Sequence, residues 1–388
     1  MGIFPAWQMW EVRRMRSGTV CAENFMICQE SVMKLENSKL QRPRHGGDIY
    51  TKKVQSDFSV NVNPLGIPQP VKQALTAAVL QTAVYPEYEN RLLRETIARD
   101  MGLRMENVLC GNGASELFAA VVHALKPKKA VIPMPSFYGY EWACGMEHAD
   151  VHYVRLQESE GFAVTESLWD SLTAETDMLF LANPANPVGN GISDDLLYEL
   201  FEHCRTCGIT ILLDECFIEF TGQDSAVKWL NEFPNLVVVR AFTKIYAVPG
   251  IRLGYLLAQE SICRKIARQL PEWNVSVLAQ AAGIAVYSAQ WEKDEYIRQT
   301  VRFTRKERAY LESGLKKIFG DGITIFLSDA NFLLLKTELP LYELLLEQGI
   351  LIRDCSNYQG LGNGYYRIAV KGHGENRRLI SEMRNIWR

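Results

Sequence analysis

The sequence lacks the features that would place the protein in a membrane or on a nucleic acid. No run of about 18 apolar residues occurs, so a transmembrane helix is not expected. Neither sign of charge dominates the 388 residues, because 42 basic and 45 acidic side chains are well mixed and give a net charge of -3. That balance provides no basic surface, so we expect neither nucleic acid nor membrane as a partner.

A signal for secretion is also missing. The basic cluster at residues 13–16 is not followed by the apolar segment of a signal peptide, and Ala6 stands where N-myristoylation requires Ser or Thr. Nine cysteines without such a signal are typical of free thiols in a reducing compartment, so we expect a cytoplasmic protein. Residues 1–44 show no sustained hydrophobic period. We expect them to be a disordered N-terminal extension, with Met33 as an alternative translation start.

The chain has no second pair of metal-binding residues to complete the one that it contains. Cys204 and Cys207 follow His203, but no further ligand pair occurs downstream. Cysteine is among the residue types most often buried, so we interpret the two thiols as core residues and expect no metal site.

The segment 237–254 is the one around which the chain is organised. Three valines, typical of a buried strand, lead towards Thr243 and Lys244, and Arg252 follows eight residues after the lysine. Partial desolvation of such a lysine lowers its pKa and makes its amine a nucleophile towards carbonyl groups. A hydroxyl and a guanidinium nearby would bind a phosphate. The pattern predicts a site for pyridoxal 5'-phosphate (PLP), and solvated surface residues are the alternative.

Two upstream strands end in polar residues that fit the same cofactor. One apolar run ends at an Asn-Pro turn that presents Asn186, and the next ends at Asp214. A carboxylate that faces a pyridine nitrogen keeps it protonated and preserves the ring as an electron sink. Because open α/β sheets bind ligands at the carboxyl ends of their strands, Asn186, Asp214 and Lys244 should converge there. A helix cap is the alternative role for Asp214.

A glycine-rich turn at residues 111–116 follows a short strand and precedes an apolar helix. Free backbone N–H groups at a helix N-terminus bind anions, so Gly113, Ala114 and Ser115 are candidates for the cofactor phosphate. A plain helix start capped by Ser115 would look the same. Strands and helices alternate from about residue 107 to 258, which predicts an α/β fold with a parallel-rich sheet flanked by helices.

The pattern changes after residue 259 to long helices and short strands, which predicts a second, smaller α+β domain. Arg353 and Arg367 lie on two of these strands, 14 residues apart, and a loop return would bring both guanidiniums to one anion. Surface charge is the alternative for Arg353. We expect the extension 1–44, an N-terminal segment 45–75 that packs with the small domain, a large PLP-binding domain 76–275, and a small C-terminal domain 276–388.

Three motifs resemble those of the fold-type I PLP enzymes. They are Asn-Pro-Ala-Asn-Pro-Val-Gly from residue 183, Asp-Glu-Cys-Phe-Ile-Glu-Phe from residue 214, and Thr-Lys with an arginine eight residues later. Over about residues 45–388 the chain is similar to the threonine-phosphate decarboxylases of cobalamin synthesis, with the histidinol-phosphate aminotransferases as near relatives. The resemblance implies a PLP-dependent lyase in which Lys244 and Asp214 are catalytic.

The resemblance also implies how the cofactor and a second subunit are arranged. Phe137 would stack on the pyridine ring, whereas its neighbours Tyr138 and Tyr140 are expected to be ordinary core residues. In the family, a tyrosine at the position of Tyr85 reaches the cofactor phosphate of the other subunit. The resemblance therefore implies a homodimer.

The substrate contacts implied by the resemblance come from both ends of the chain. His45 begins a His-Gly-Gly segment that the decarboxylases place near the substrate phosphate, and Asn61 matches a position that contacts substrate. Arg367 would bind the substrate carboxylate, and Arg353 would bind its phosphate.

The reaction itself is predicted only indirectly. PLP enzymes break the bond held perpendicular to the cofactor ring, so the residues that orient the substrate decide between decarboxylation and transamination. Phe217 stands where the aminotransferases carry a tyrosine that bonds the cofactor 3'-oxygen, and Ala241 replaces a hydroxyl present in many relatives. We expect decarboxylation of L-threonine O-3-phosphate to 1-aminopropan-2-ol O-phosphate for a cobamide side chain, with phosphoserine as a second substrate.

Two other functions stay open. Histidinol-phosphate aminotransferase activity is the first, and a PLP-binding regulator without catalysis is the second. Residues 1–44 show no helix-turn-helix pattern, and Lys244 and Asp214 are both present, which disfavours the regulator.

Overall fold

The computed structural model describes residues 45–287 and 291–387. The predicted disordered extension 1–44 lies outside the described residues. The strands are β1 Ser56–Asp57, β2 Val108–Gly111, β3 Lys129–Met134, β4 Asp150–Arg155, β5 Met178–Ala182, β6 Thr210–Asp214, β7 Leu236–Ala241, β8 Gly254–Ala258, β9 Thr324–Ile325, β10 Phe332–Lys336, β11 Ile350–Leu351, β12 Arg353–Asp354 and β13 Tyr365–Ala369. The α-helices are Gln69–Ala78, Arg91–Asp100, Ala114–Leu125, Gly139–Met146, Asp194–Cys207, Ile218–Thr221, Phe242–Ile245, Glu260–Ala267, Val277–Val286, Lys293–Phe319, Leu341–Glu347 and His373–Trp387.

A seven-stranded sheet in the order β2-β8-β7-β6-β5-β3-β4 forms the centre of the fold. Strand β8 runs antiparallel to both of its neighbours, and the remaining neighbours pair in parallel. Helices follow most of the parallel strands and return the chain across the sheet. The predicted α/β fold with a mostly parallel sheet is confirmed.

The apolar run of β6 shows how the sequence builds a core on both faces of this sheet. Ile211 and Leu213 pack into the core on one face, and Leu212 packs into the core on the other. Because successive side chains of a strand point to opposite faces, a strand that helices cover on both sides is apolar throughout. The run ends at Asp214, which is therefore placed at the edge where the parallel strands finish.

The C-terminal part forms a second layer with its own core. A four-stranded antiparallel sheet, β12-β13-β10-β9, packs against the helices Lys293–Phe319 and His373–Trp387. Strand β1 pairs in parallel with β11, so the segment that begins at residue 45 is joined to this part by backbone hydrogen bonds. This is the smaller α+β unit that the sequence predicts beside the large sheet.

The helix Val277–Val286 packs differently from the segment to which the sequence analysis assigned it. Ala279, Ala282 and Val286 belong to the core of the central sheet, and the helix also contacts Gln69–Ala78. By packing, the large unit therefore extends beyond residue 275. The division into four segments stays a prediction.

Two general features of the described part of the chain bear on function. None of its helices has the length and apolar composition that crossing a membrane requires. Within residues 45–287 and 291–387, no group of three or more His, Cys, Asp or Glu side chains lies close enough together to hold a metal ion.

Candidate active site

One cavity of about 360 Å³ lies where the central sheet ends and the C-terminal part begins. The ends of β3, β5, β6 and β7 deliver polar and aromatic side chains to it, and β12 and β13 close the opposite side. Open α/β sheets bind ligands at this edge. The predicted site residues that line the cavity are His45, Asn61, Ala114, Ser115, Phe137, Asn186, Asp214, Phe217, Thr243, Lys244, Arg252, Arg353 and Arg367.

Gly113 lies behind the cavity lining, in contact with Arg252. Its φ is +79°, and a Cβ atom there would stand 2.5 Å from Nη2 of Arg252. A larger residue at Gly113 would therefore displace the guanidinium. The contact places Arg252 beside the N-terminus of the helix Ala114–Leu125. Free backbone N–H groups and a positive charge therefore lie together, as in an anion-binding site.

Tyr85 lies outside the cavity. Its side chain is 77% exposed, and its ring packs 4.9 Å from that of Trp273. A single chain therefore does not bring Tyr85 to its own site, and its predicted role in a second subunit stays a prediction.

Asp214 is held from two sides. Its Oδ1 accepts the backbone N–H of Cys216 at 2.9 Å, and its Oδ2 accepts the Tyr140 hydroxyl at 2.6 Å. Burial raises the pKa of the Asp214 carboxyl, and the hydrogen bonds from Cys216 and Tyr140 oppose that rise. The next helix starts after Phe217 without a side-chain cap, so Asp214 does not serve as a helix cap.

Lys244 is fixed by the backbone on which it stands. The short helix Phe242–Ile245 follows β7 directly, the carbonyl of Lys244 accepts the N–H of Asn63 at 3.0 Å, and the Asn63 amide donates to the Ile245 carbonyl at 2.7 Å. Burial lowers the pKa of Lys244 to about 8, and the positive charges of Arg367 and Arg252 act in the same direction. The amine is thus less basic than an ordinary lysine.

This low pKa gives the reactivity of Lys244 a pH dependence of known sign. Only the neutral amine is a nucleophile, so its reaction with limiting acetic anhydride should rise about tenfold per pH unit below about pH 8 and level off above. A model lysine amide added to the same sample should keep rising in reactivity towards pH 10. Mass spectrometry of the labelled Lys244 peptide and of the labelled model amine measures both curves, and coincident curves would contradict the low pKa of Lys244.

Arg353 and Arg367 face each other across neighbouring antiparallel strands. The two residues are direct partners in the register of β12 and β13, and each is 7% exposed. Arg367 donates from Nη1 to Oδ1 of Asn186 at 2.5 Å and from Nη2 to the Ser59 carbonyl at 2.9 Å. Arg353 donates to Oδ1 of Asn357 at 2.7 Å. Both guanidiniums line the cavity, which removes surface charge as the explanation for Arg353.

The groups that meet in this cavity fit PLP. Lys244 offers an amine, Asp214 a carboxylate, Phe137 an aromatic face, and Arg252 a positive charge beside a helix N-terminus. Asn61 adds a further observation, because its buried Oδ1 has no hydrogen-bond partner among the described residues. A buried polar atom of this kind is normally satisfied by a bound molecule or water.

The sequence analysis missed three features of the cavity wall. Tyr140, expected to be an ordinary core residue, donates a hydrogen bond to Asp214, and Tyr138 lines the cavity and contacts the His45 ring. Ser59 also lines the cavity, and its hydroxyl accepts the N–H of Gly47 at 2.7 Å. Tyr140 lies 74 residues from its partner, so no local pattern indicated the contact.

Comparison with known proteins gives a family match across most of the chain. The family model described as "Aminotransferase class I and II" matches residues 53–382. Threonine-phosphate decarboxylase from Salmonella typhimurium is 34% identical over 336 residues, which cover 85% of this chain and 90% of that protein.

Solved structures agree with that match. The histidinol-phosphate aminotransferase from Clostridium acetobutylicum superposes with a TM-score of 0.79 at 30% identity and covers 86% of this chain and 99% of its own. The L-threonine-O-3-phosphate decarboxylase from Porphyromonas gingivalis superposes with a TM-score of 0.75 at 25% identity and covers 85% of this chain and 98% of its own.

Proposed function

Because this chain belongs to the class I and II aminotransferase family, we propose that it is a PLP-dependent threonine-phosphate decarboxylase. The substrate is L-threonine O-3-phosphate, and the products are CO2 and 1-aminopropan-2-ol O-phosphate for cobalamin synthesis. The observation that carries the proposal is one cavity in which Lys244 lies with two buried, neighbouring guanidiniums, those of Arg353 and Arg367. A substrate with one amine, one carboxylate and one phosphate matches that set of groups.

Lys244, Asp214, Phe137 and Arg252 would hold the cofactor, together with the helix N-terminus at Ala114. When bound, PLP supplies an aldehyde that condenses with amines and a conjugated ring that takes up the electron pair left when CO2 departs. Asp214 would keep the ring nitrogen protonated, which makes the ring a better electron acceptor. Ala241 lines the cavity without a hydroxyl, so the phosphate contacts come from the remaining donors.

Lys244 would also move a proton in the reaction. In the structure, burial lowers the pKa of its amine, which lies in the cavity, to about 8. At neutral pH most of it is protonated, and it can donate a proton to the α-carbon after decarboxylation. A proton donor for this role has to lie close to the substrate. The hydrogen bonds that fix the backbone of Lys244 hold its side chain in the wall of the cavity.

The two arginines would orient the substrate. Arg367 is braced by Asn186 and the Ser59 carbonyl, so its guanidinium has little freedom to follow a ligand. A carboxylate bound to it is held in one position, and the orientation of that carboxylate relative to the ring decides whether CO2 leaves. Arg353 would bind the phosphate, and His45 lines the same cavity.

Compartment and assembly belong to the same proposal. The cysteines among the described residues carry free thiols, which suits a reducing cytoplasm. A homodimer would give the exposed Tyr85 a place beside the cofactor phosphate of the second subunit.

Phe217 is the residue that we expect to bias the reaction towards decarboxylation. It lines the cavity, and its ring packs edge-on to Phe332 at 5.2 Å. Phe217→Tyr adds a hydroxyl that can bond the cofactor 3'-oxygen, which should slow CO2 release about fivefold and raise the share of transamination. Parallel assays of CO2 and of keto product measure the ratio.

Phe217→Leu serves as the control for this prediction, because it removes the ring without adding a donor. It should slow the reaction without changing the ratio of products. If Phe217→Tyr keeps the product ratio and the visible spectrum of the native enzyme, the hydroxyl at this position does not bias the reaction.

The experiment that tests the proposed function measures CO2 from purified protein with added PLP. Phosphothreonine should release CO2 without any keto acid, and phosphoserine should react more slowly because it lacks one methyl group, a difference worth about 1–3 kcal/mol. The competing activity is tested with histidinol phosphate and 2-oxoglutarate. Formation of glutamate there, without CO2 from phosphothreonine, would identify an aminotransferase instead.

A further inference from the structure

Tyr140 is a buried polar residue for which the proposed reaction has no direct use. It lies in the helix Gly139–Met146, is 1% exposed, and directs its hydroxyl at Oδ2 of Asp214 at 2.6 Å. Its ring stacks on Phe180 at 5.4 Å and meets Phe118 edge-on at 5.2 Å. Aromatic packing thus fixes the ring, and the fixed ring sets the direction of the hydroxyl.

The hydrogen bonds that Asp214 accepts within the protein leave part of its acceptor capacity free for a ligand. Oδ1 accepts the N–H of Cys216, and Oδ2 accepts the Tyr140 hydroxyl. The Cys216 thiol also hydrogen-bonds the carboxylate. Because the two carboxylate oxygens together accept about four hydrogen bonds, acceptor capacity is left for a ligand in the cavity that Asp214 lines. These protein donors fix the carboxylate plane before any ligand arrives.

We propose that Tyr140 is a positioning residue that orients the Asp214 carboxylate and keeps it ionised opposite the ring nitrogen of the cofactor. The proposal rests on the proposed function for the identity of that cofactor. Tyr140 itself does not touch the reacting atoms. It acts through Asp214, and its effect is to keep the proton on the ring nitrogen rather than on the carboxylate.

The physical reason lies in the opposing effects of burial and hydrogen bonding on Asp214. Burial favours the neutral acid, whereas the hydrogen bonds from Cys216 and from the Tyr140 hydroxyl favour the anion. The titratable groups that interact with Tyr140 or Cys216 are Asp214, Tyr358, Glu219 and Lys244. The other ionisable side chains that line the cavity include His45, Arg252, Arg353 and Arg367. Burial raises the pKa of both Tyr140 and Cys216, so both stay protonated at neutral pH and the phenol remains a donor.

Tyr140→Phe tests the proposal first in the protein without cofactor. Carbon-13 labelling of the aspartate carboxyls, with Asp214→Asn to assign the resonance, gives the titration of Asp214 by NMR. Loss of the hydroxyl should move its midpoint up by about one pH unit, a tenfold change in proton affinity. Phe180→Leu is the matched control, because it loosens the same ring but leaves the hydrogen bond, and its midpoint should stay near that of the native protein.

The second measurement uses PLP labelled with nitrogen-15 in the ring. In Tyr140→Phe, we expect the ring-nitrogen resonance to move towards that of neutral pyridine and the dissociation constant of PLP, from equilibrium dialysis, to rise about tenfold. Unchanged midpoint and resonance in Tyr140→Phe, or equal changes in Phe180→Leu, would overturn the proposal. If the native protein does not bind PLP, the proposed function and the cofactor half of this proposal both fail, whereas the titration still tests the coupling of Tyr140 to Asp214.

Discussion

Alanine in place of Lys244 is expected to lower CO2 release from phosphothreonine by at least about 10⁴-fold. The substitution removes the amine that captures the cofactor aldehyde and the group that returns a proton to the α-carbon, and proton transfer alone contributes about 10² to 10⁴. Among the described residues that line the cavity, Lys244 is the only lysine, so no neighbouring amine takes its place. Initial rates with saturating PLP and substrate measure the loss.

Two further variants separate the chemistry of Lys244 from its charge and from folding. Lys244→Arg keeps the positive charge, but a guanidinium is not a nucleophile at neutral pH, so this variant should be as inactive as Lys244→Ala. Lys128→Ala, at an exposed position, should keep native activity. Circular dichroism checks that all three fold. Activity of Lys244→Ala within tenfold of the native enzyme would refute the assignment of this lysine.

The sequence was sufficient to predict residues that end buried strands. Strand β6 is covered on both faces, and its apolar run stops at Asp214. The buried strands β5 and β7 are likewise followed by polar residues. Parallel strands place the polar residues that follow their apolar runs at one edge of the sheet. The sequence alone could therefore predict that Asn186, Asp214 and Lys244 line one cavity.

Contacts between distant side chains could not be predicted in this way. The bond from Tyr140 to Asp214 depends on how a helix packs on the sheet, and the brace from Arg367 to the Ser59 carbonyl joins residues 308 positions apart. Such contacts leave no local period in the sequence, since they are set by tertiary packing. Helix Val277–Val286 shows the same limit, because its apolar face fits either core by pattern alone.

Arg353 is a case in which the structure decides between two alternatives of the sequence analysis. The spacing of Arg353 and Arg367 along the chain was compatible with a shared anion-binding site, and also with Arg353 as an ordinary surface charge. The register of β12 against β13 pairs Arg353 directly with Arg367, and both are almost fully buried. Two neighbouring buried guanidiniums repel each other unless anions lie close by, so their pairing favours a ligand with two negative groups.

That argument leads to a prediction about which anion each arginine binds. Three competing ligands separate the groups: phosphothreonine carries a carboxylate and a phosphate, 1-aminopropan-2-ol O-phosphate carries only the phosphate, and threonine carries only the carboxylate. Arg367→Ala should weaken binding of phosphothreonine and threonine by about 2–5 kcal/mol, roughly 30-fold to several thousand-fold, and barely affect the product. Arg353→Ala should weaken phosphothreonine and the product and spare threonine. The KM of phosphothreonine and the inhibition constants of the product and of threonine measure each effect.

The pattern across ligands carries more information than any single loss, because removing a buried arginine also disturbs its neighbours. A general disturbance would weaken all three ligands alike, whereas loss of one specific contact weakens only the ligands that carry the matching anion. Arg367→Lys keeps the charge but loses the paired bonds to Asn186 and Ser59, so it should recover part of the carboxylate binding and little of the rate. Arg104→Ala, at an exposed ion pair, is the control that should change nothing. An exchanged pattern would assign the carboxylate to Arg353 and the phosphate to Arg367, and equal losses for every ligand in both variants would mean that the two arginines form one undivided anion site.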